Sequence, residues 1–468
     1  MKIPGRIVGL LENGDISSPF EFDKNTFDLR LYRLDEDYGY EKLLNGVRTL
    51  GSNPKEHKWI ESTIVKGKTS EGFGVYFGIS DNPSSYNGYL TYSIDWFYVT
   101  NIKSRKVEEF RVFGSDVNRF YESSQIFEQE IKVKDNDPMM IESMRVEINN
   151  HSSLDCGSYL SDDNHIDISC EVYATMRFQT DNPLESRSYM RFRFAEPIGL
   201  EELISKARKV KSFFNYVCYR TNIDINDIST YITLENGKKL NCGKLVFKTG
   251  YNEETHKKAN ERIIKAEYLG EHIAELFGMI EKGELPFGHY CESISDTSFY
   301  STSRIIMVLS AFEREFKSIY GQDVRRSDSF KQTKSEVIKL IEEFAETLSG
   351  KQKKYAKGFA RGIRNSDSSY GDNLKFALED CEPIMGPFIT RQFEGCYEDI
   401  INDISININD IRNGIAHSRL DLELEARNIT DIRFVEEMLY AIRLKKMGID
   451  NIVIQRSINE LFGERLSI

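Results

Sequence analysis

The sequence predicts an α+β protein in which a β-rich N-terminal domain, residues 1–250, precedes an all-α C-terminal domain, residues 251–468. Three observations predict this class. The chain has 468 residues, which is too long to fold around one ordinary hydrophobic core, so more than one domain is expected. Before residue 250, apolar residues alternate with polar ones or form short aromatic runs, as in MRFRF at 190–194, and a period of two is typical of a strand. After residue 250 the apolar residues recur at helical spacing.

The N-terminal domain is predicted to be an antiparallel, sandwich-like sheet. Turn signals such as ENGD at 12–15 and NPSSYNG at 82–88 separate its strand-like runs. One helix is expected at 199–219, and the Asn-Gly turn in LENGKKL at 234–240 predicts a further hairpin. The strand-like runs are, in order, RIVGLL, GVYFGIS, YLTYSIDWFYV, FRVFG, HIDISCEVYATMRFQT and YMRFRFAEPI.

The C-terminal domain is predicted to be a bundle of antiparallel helices joined by short polar loops. In STSRIIMVLSAFEREFKSIYG, residues 301–321, apolar residues recur at the spacing that the buried face of a helix requires. Further stretches repeat the pattern, among them SEVIKLIEEFAETLSG, KQKKYAKGFARGI, DIRFVEEMLYAIRLKKMG and VIQRSINELFG.

Composition narrows the class of function. The net charge of −12 is awkward for a nucleic-acid-binding protein, so any such binding is expected to use a local basic patch. The 7 cysteines include no C-x-x-C pair, which argues against a zinc ribbon and a disulfide framework and suits a reducing cytoplasm. No apolar run has the length of a membrane span and the first residues do not resemble a signal peptide, so we expect a cytoplasmic protein without membrane contact.

The sharpest motif is DIRNGIAHSR at 410–419, near the end of a predicted helix. At about 100° per residue, Arg412, Asn413 and His417 share the arc opposite the apolar stripe of that helix. Gly414 and Ala416 are small, so this polar face can accept a second helix or a ligand. The stripe consists of isoleucines at helical spacing: Ile404, Ile408, Ile411 and Ile415.

Two interpretations of the polar face are open. In the simpler one, His417 and Arg419 are cations near a helix C-terminus, where they complement the helix dipole. In the other, the face is half of a ribonuclease site. Histidine can take or give a proton near neutral pH, and a guanidinium can bind two phosphoryl oxygens at once. Asn413 stands one helical turn before His417 and can orient its ring or contact phosphate.

The run RNGIAH at 412–417 resembles the R-x4-6-H motif of the HEPN superfamily. The order of parts is similar to that of the ApeA-like HEPN anti-phage proteins, in which a β-rich domain precedes a helical HEPN domain with the motif near its end. The runs GRIVGLLENGD at 5–15 and PIGLEELISKARKVKSFFNYV at 197–217 also resemble that family's N-terminal region. The resemblance covers most of the chain and rests on one specific motif and several less specific sequence patterns.

The resemblance implies a function and partners. The chain is expected to be a metal-independent endoribonuclease of anti-phage, abortive-infection defence. It would cleave RNA, with transfer RNA among the candidates, by attack of the 2′-hydroxyl, and it would need no cofactor. Two motifs would face each other across a homodimer, with Arg412, Asn413 and His417 as the catalytic residues of each copy. The β-rich half would sense infection or restrain the helical half, and a phage-derived trigger or inhibitor protein is a further expected partner.

Two weaker features accompany the motif. On a helix formed by KQKKYAKGFARGIR, five cations fall within an arc of roughly 100°, so they form either a phosphate-binding stripe or an ordinary solvated face: Lys353, Lys354, Lys357, Arg361 and Arg364. Glu313 resembles a supporting glutamate often seen in the first helix of HEPN bundles, although a surface glutamate is the simpler interpretation. The alternative to a nuclease is a non-catalytic helical module that binds RNA or a protein through the same helix face.

Overall fold

The computed structural model describes residues 3–13, 16–32, 63–80, 84–86, 89–102, 106–134, 137–176, 184–225, 227–250, 262–286, 288–321, 328–364, 369–416 and 424–467. The predicted class is confirmed at the coarse level, since a β-rich N-terminal region precedes a helical C-terminal part. The chain contains two compact units. One comprises Met1–Phe214, Asn222–Glu253 and Lys265–Glu281, and the other comprises Asn215–Thr221, Glu254–Ile264 and Lys282–Ile468. The domain boundary at residue 250 stays a prediction.

The strands lie in the first unit. Backbone hydrogen bonds join 13 of those described into one sheet, while β9 and β10 pair with each other. The strands are β1 (Arg6–Asn13), β2 (Ile16–Asp23), β3 (Asp28–Tyr32), β4 (Thr63–Thr69), β5 (Gly74–Ile79), β6 (Ser84–Tyr86), β7 (Tyr89–Thr100), β8 (Val107–Phe113), β9 (Phe127–Lys134), β10 (Asp137–Ile148), β11 (His151–Ser161), β12 (Asn164–Met176), β13 (Leu184–Ile198), β14 (Asp227–Thr233) and β15 (Lys239–Phe247).

Six of these strands form a closed barrel. Its order is β7, β3, β2, β1, β4 and β5, and β5 pairs with β7 to complete the ring. Aromatic side chains fill the interior: the ring of Phe22 lies 4.8 Å from that of Phe97 and 5.0 Å from that of Phe77, and all three are fully buried. The barrel is therefore built around a packed aromatic core.

The sandwich-like sheet predicted from the sequence is replaced by this barrel, which continues into an open sheet. The cause is the length of β7. Its residues 89–93 pair with β3, whereas its second half pairs with both β5 and β15. Because this one long strand belongs to both parts, the barrel closes and the sheet continues from β7 through β15, β14, β8, β13 and β12 to β11. Closure removes strand edges that would otherwise be open to aggregation.

Helices cover the apolar face of the open sheet. They are α1 (Ser115–Phe120), α2 (Leu200–Cys218), α3 (Ala266–Leu269) and α4 (His272–Glu281). The ring of Phe277 stacks on Phe213 at 4.6 Å and meets Phe192 of β13 edge-on at 5.1 Å. The predicted helix at 199–219 is confirmed as α2, and the predicted hairpin around the Asn-Gly turn is confirmed as the antiparallel pair β14 and β15.

The second unit is helical over the part of the chain that the structure describes. Its helices are α5 (Thr302–Tyr320), α6 (Asp328–Glu346), α7 (Gly350–Arg364), α8 (Tyr370–Asp380), α9 (Glu382–Gln392), α10 (Tyr397–Ala416), α11 (Ala426–Lys446) and α12 (Asn451–Phe462). No described helix is both long enough and apolar enough to cross a membrane.

Caps and buried charges fix these helices. The side chain of Ser301 accepts a hydrogen bond from the backbone N–H of Arg304 and starts α5, and Gly321, at φ +82°, ends it. Two buried ion pairs then join α5 to α11. Arg304 lies 2.8 Å from Glu436, and Arg443 pairs with Glu315. The register of α5 against α11 is thereby set by charges as well as by apolar packing.

Candidate functional site

Helix α10 carries the first part of the motif, Arg412 and Asn413. Ile404 and Ile408 are fully buried and Ile411 is nearly so, whereas Arg412 is exposed and Asn413 is half-buried. The isoleucine stripe therefore anchors the helix and leaves the Arg412 side open. His417 follows the last residue of α10 in the sequence and lies outside the described residues.

A cavity of about 250 Å³ opens beside Arg412. Helices α5, α8 and α10 form its walls, and every lining residue belongs to the second unit. The structure thus brings three predicted residues together here: Arg412, Asn413 and Glu313. The other lining residues are Phe316, Lys317, Gly321, Ser369, Tyr370, Asn373 and Asn409.

Arg412 has an unusual environment for an arginine. Its only hydrogen bond to a described residue runs from Nη1 to the side-chain oxygen of Asn413, at a long 3.4 Å. No carboxylate among the described residues forms an ion pair with it. A guanidinium that is exposed, held on a helix and without an ion pair to a described carboxylate is suited to bind an anion. Asn413 reduces the freedom of that guanidinium by accepting one of its hydrogens.

Glu313 and Lys317 form the opposite wall. They are one turn apart on α5, and Lys317 Nζ lies 2.9 Å from Glu313 Oε1. Both are well exposed, so this pair contributes little to stability. The carboxylate of Glu313 holds a second cation, Lys317, beside the cavity. The same carboxylate forms no ion pair with Arg412. Together these three side chains carry a net positive charge of one.

Tyr370 lies in the cavity wall at the start of α8. Its hydroxyl is buried and has no hydrogen-bond partner among the residues that the structure describes. Burial raises the pKa of this hydroxyl well above its usual value, the charge of Glu313 raises it further, and the charge of Arg412 lowers it. The hydroxyl is therefore protonated at neutral pH and is a hydrogen-bond donor without an acceptor among the described residues.

The N-terminus of α8 is held against α10 by two local features. Ser369 and Asp372 form a capping box, in which each side chain accepts from the other's backbone N–H, at 3.1 and 3.0 Å. Gly371 allows the close approach, because a Cβ at this position would lie 2.9 Å from the backbone oxygen of Ser405. The helix end adds partial positive charge to the wall beside Arg412.

Five polar residues of this cavity were missed by reasoning from sequence: Lys317, Ser369, Tyr370, Asn373 and Asn409. Two signals were available. Glu313 and Lys317 stand at the i, i+4 spacing of a helical ion pair, and Ser369 and Asp372 stand at the spacing of a capping box. Neither signal shows which other helices pack against α5 and α8, so the sequence alone does not predict the cavity.

The predicted basic stripe lies on α7, and its residues do not line this cavity. Three of its cations pair with glutamates of α6. Lys353 and Lys357 lie 2.7 and 3.2 Å from Glu346, and Arg364 pairs with Glu342. Lys354 and Arg361 are exposed and have no ion pair with a described residue. Contact of this stripe with RNA stays a prediction.

A metal site in a protein needs several side chains of histidine, cysteine, aspartate or glutamate close together. Within the described ranges no three such side chains lie close enough together to hold an ion. The chemistry that the cavity can support therefore rests, among described residues, on a guanidinium, an ammonium, a carboxylate and a protonated phenol. These groups suit the binding of a phosphate or another oxyanion. Compared with protein-family models, with curated proteins and with solved structures, the chain matches none of them.

Proposed function

We propose that this protein is a HEPN-type endoribonuclease that cleaves RNA without a metal and acts in anti-phage defence. The observation that carries the proposal is the environment of Arg412. Its guanidinium is exposed, has no ion pair with a described carboxylate and lines a cavity whose groups suit an oxyanion. The motif RNGIAH supplies the second part, since it places a histidine five positions after this arginine.

The volume of the cavity limits the size of the chemical group that it can bind. At about 250 Å³ it is smaller than most ligand pockets, which measure about 300–1,000 Å³. We expect it to accept one phosphate with part of its ribose rather than a whole nucleotide. Arg412 would bind the non-bridging oxygens, and Tyr370 would donate a hydrogen bond to one of them.

The chemistry needs two proton transfers. The 2′-oxygen attacks the adjacent phosphorus and loses its proton, the bond to the 5′-oxygen breaks, and that oxygen gains a proton. His417 can serve either step, but one helix supplies one histidine. A second copy of the motif, facing the first across a dimer, would supply the other.

The first prediction concerns cofactors and products. Purified protein incubated with total cellular RNA in excess EDTA is expected to cleave it and to leave 2′,3′-cyclic phosphate ends. The reason is that the 2′-hydroxyl is the nucleophile and that protein groups make both proton transfers. Mapping of the cut ends by sequencing gives the readout. The Arg412→Ala protein, purified in the same way, controls for a contaminating ribonuclease. Dependence on Mg²⁺, or products with 5′-phosphate ends, would rule out this mechanism.

The second prediction concerns assembly through α10. Gly414→Lys is expected to separate the two copies of the motif and to abolish cleavage, because a long cation would occupy the face that must meet its counterpart. Light scattering after size exclusion measures the mass, and an RNA gel measures activity. Gly386→Lys, at a half-buried glycine of α9, is the matched control. A wild-type monomer that still cuts RNA would contradict the prediction.

A further inference from the structure

Two cysteine side chains contact each other inside the first unit. Cys156 lies on β11 and Cys170 on β12, and their sulfur atoms are 3.6 Å apart. Both are thiols, and both side chains are fully buried. The S–S distance of a disulfide bond is about 2.05 Å, so a closing movement of roughly 1.5 Å would turn this contact into a bond.

The backbone of β11 is irregular at this point. Between Asp155 and Ser158 the register shifts, because β11 advances by three residues while β12 advances by two. Cys156 and Gly157 lie in this shift, and Gly157 has a φ of +79°. Such a shift is a β-bulge, where one residue is unpaired and the strand bends. The bulge therefore allows Cys156 to move toward Cys170 without displacing the rest of the sheet.

The position of β11 in the sheet gives a reagent access to the pair. Among the described strands, β11 pairs with β12 alone, so it is the edge of the open sheet. Helix α4 packs against it, and a Cβ at Gly157 would lie 2.9 Å from the backbone oxygen of Glu271. An edge strand is held by one row of backbone hydrogen bonds, so it opens more readily than a central strand. Opening of β11 exposes sulfur atoms that the closed sheet covers.

Burial keeps the pair unreactive while β11 is closed. Burial raises the pKa of the Cys170 thiol well above its usual value, and the contact with Cys156 raises it further. The thiolate is the reactive form of cysteine. Cys170 is therefore protonated at neutral pH in the closed sheet, and the rate of its oxidation is set by the opening of β11.

We propose that Cys156 and Cys170 form a reversible disulfide bond when the protein meets a peroxide. One thiolate attacks hydrogen peroxide, an S–O bond forms, the O–O bond breaks, and the released hydroxide takes up a proton to become water. The second thiol attacks the same sulfur and loses its proton, the S–S bond forms, the S–O bond breaks, and a second water leaves. Two thiols are thereby oxidised by two electrons in total, and one hydrogen peroxide is reduced to two waters.

The bond would cross-link the edge strand to its neighbour. It closes a loop of about 15 residues, 156–170, and so restricts the unfolded chain. We expect the melting temperature of the oxidised protein to rise by roughly 5–10 °C. The pair belongs to the first unit and the cavity beside Arg412 to the second. The proposal is therefore independent of the ribonuclease proposal, and no readout of its test involves RNA.

The test treats the purified full chain with hydrogen peroxide, with and without urea at a concentration well below the unfolding midpoint. Remaining thiols are then alkylated, and the peptides are mapped by mass spectrometry without reduction. A linked peptide that contains Cys156 and Cys170 is expected, with a mass loss of about 2 Da that a dithiol reductant reverses. Dilute urea is expected to speed its formation several-fold, because it favours the opening of β11.

Two variants complete the test. Cys170→Ser should form no linked peptide and show no rise in melting temperature after oxidation. Cys242→Ser is the matched control, because Cys242 is a fully buried thiol of the same sheet that contacts Thr230, and it should form the 156–170 bond at the wild-type rate. The proposal would be overturned if the linked peptide appeared only in fully unfolded protein or not at all. Random pairing of Cys156 with other cysteines would also overturn it.

Discussion

His417→Ala is expected to abolish RNA cleavage and any toxicity in cells while the protein stays folded. Loss of a general acid or base should lower the rate by about 10² to 10⁴. Stability is expected to change by no more than about 0.5 to 1 kcal/mol, because the helical spacing predicts that His417 lies opposite the isoleucine stripe, where its truncation is not expected to open a core cavity. An RNA gel and a thermal melt on the same preparation measure both effects.

The matched control is His165→Ala, at an exposed histidine of β12 in the other unit. It should cleave RNA at the wild-type rate. Full activity of a folded His417→Ala protein would return the motif to the simpler interpretation, in which the histidine is a cation at the end of a helix.

Arg412→Ala should lower cleavage by a similar factor, about 10² to 10³, through lost stabilisation of the charge that builds on the phosphoryl oxygens. Arg412→Lys should recover only part of the rate, since an ammonium cannot hold two oxygens in one plane. The fold should be kept in both, because the side chain is exposed and, among the described residues, its one hydrogen bond is the 3.4 Å bond to Asn413.

Single-turnover cleavage of a defined RNA measures the three rates, and Arg208→Ala, at an exposed position of α2, is the control. The non-catalytic alternative makes a different prediction. If the face only binds RNA, Arg412→Ala weakens binding in a filter assay, and no preparation, the wild type included, produces cut ends.

The parts of the fold that depend on local pattern were predictable. The isoleucine spacing placed Arg412 on the open side of α10, and the structure buries Ile404, Ile408 and Ile411. Barrel closure was not predictable in this way. Alternation shows that a strand has one buried face, but it does not show that β1 pairs with β4 or that β5 returns to β7. Those pairings join segments that are far apart in the sequence.

The candidate site was predictable only within one helix. Arg412 and Asn413 follow from the motif, whereas the positions of Lys317 and Tyr370 depend on how α5 and α8 pack against α10. The basic stripe on α7 is a second example in which the sequence predicts one helix but not its contacts with another. Helical geometry correctly placed five cations on one helix. Three of these cations pair with glutamates of α6, and the sequence of α7 alone does not predict that α6 packs beside it.

The two buried ion pairs between α5 and α11 have a consequence for the precision of the cavity. Apolar helix faces tolerate slippage by one turn, because leucine and isoleucine fit several neighbouring positions. A slip of α5 along α11 would strand Arg304, Glu436, Arg443 and Glu315 as four unpaired charges in a medium of low dielectric constant, at a cost of several kcal/mol for each ion. We infer that these pairs act as a register lock. They exclude misaligned packings in which Glu313 and Lys317, carried on the same helix, would stand about 5.4 Å out of place.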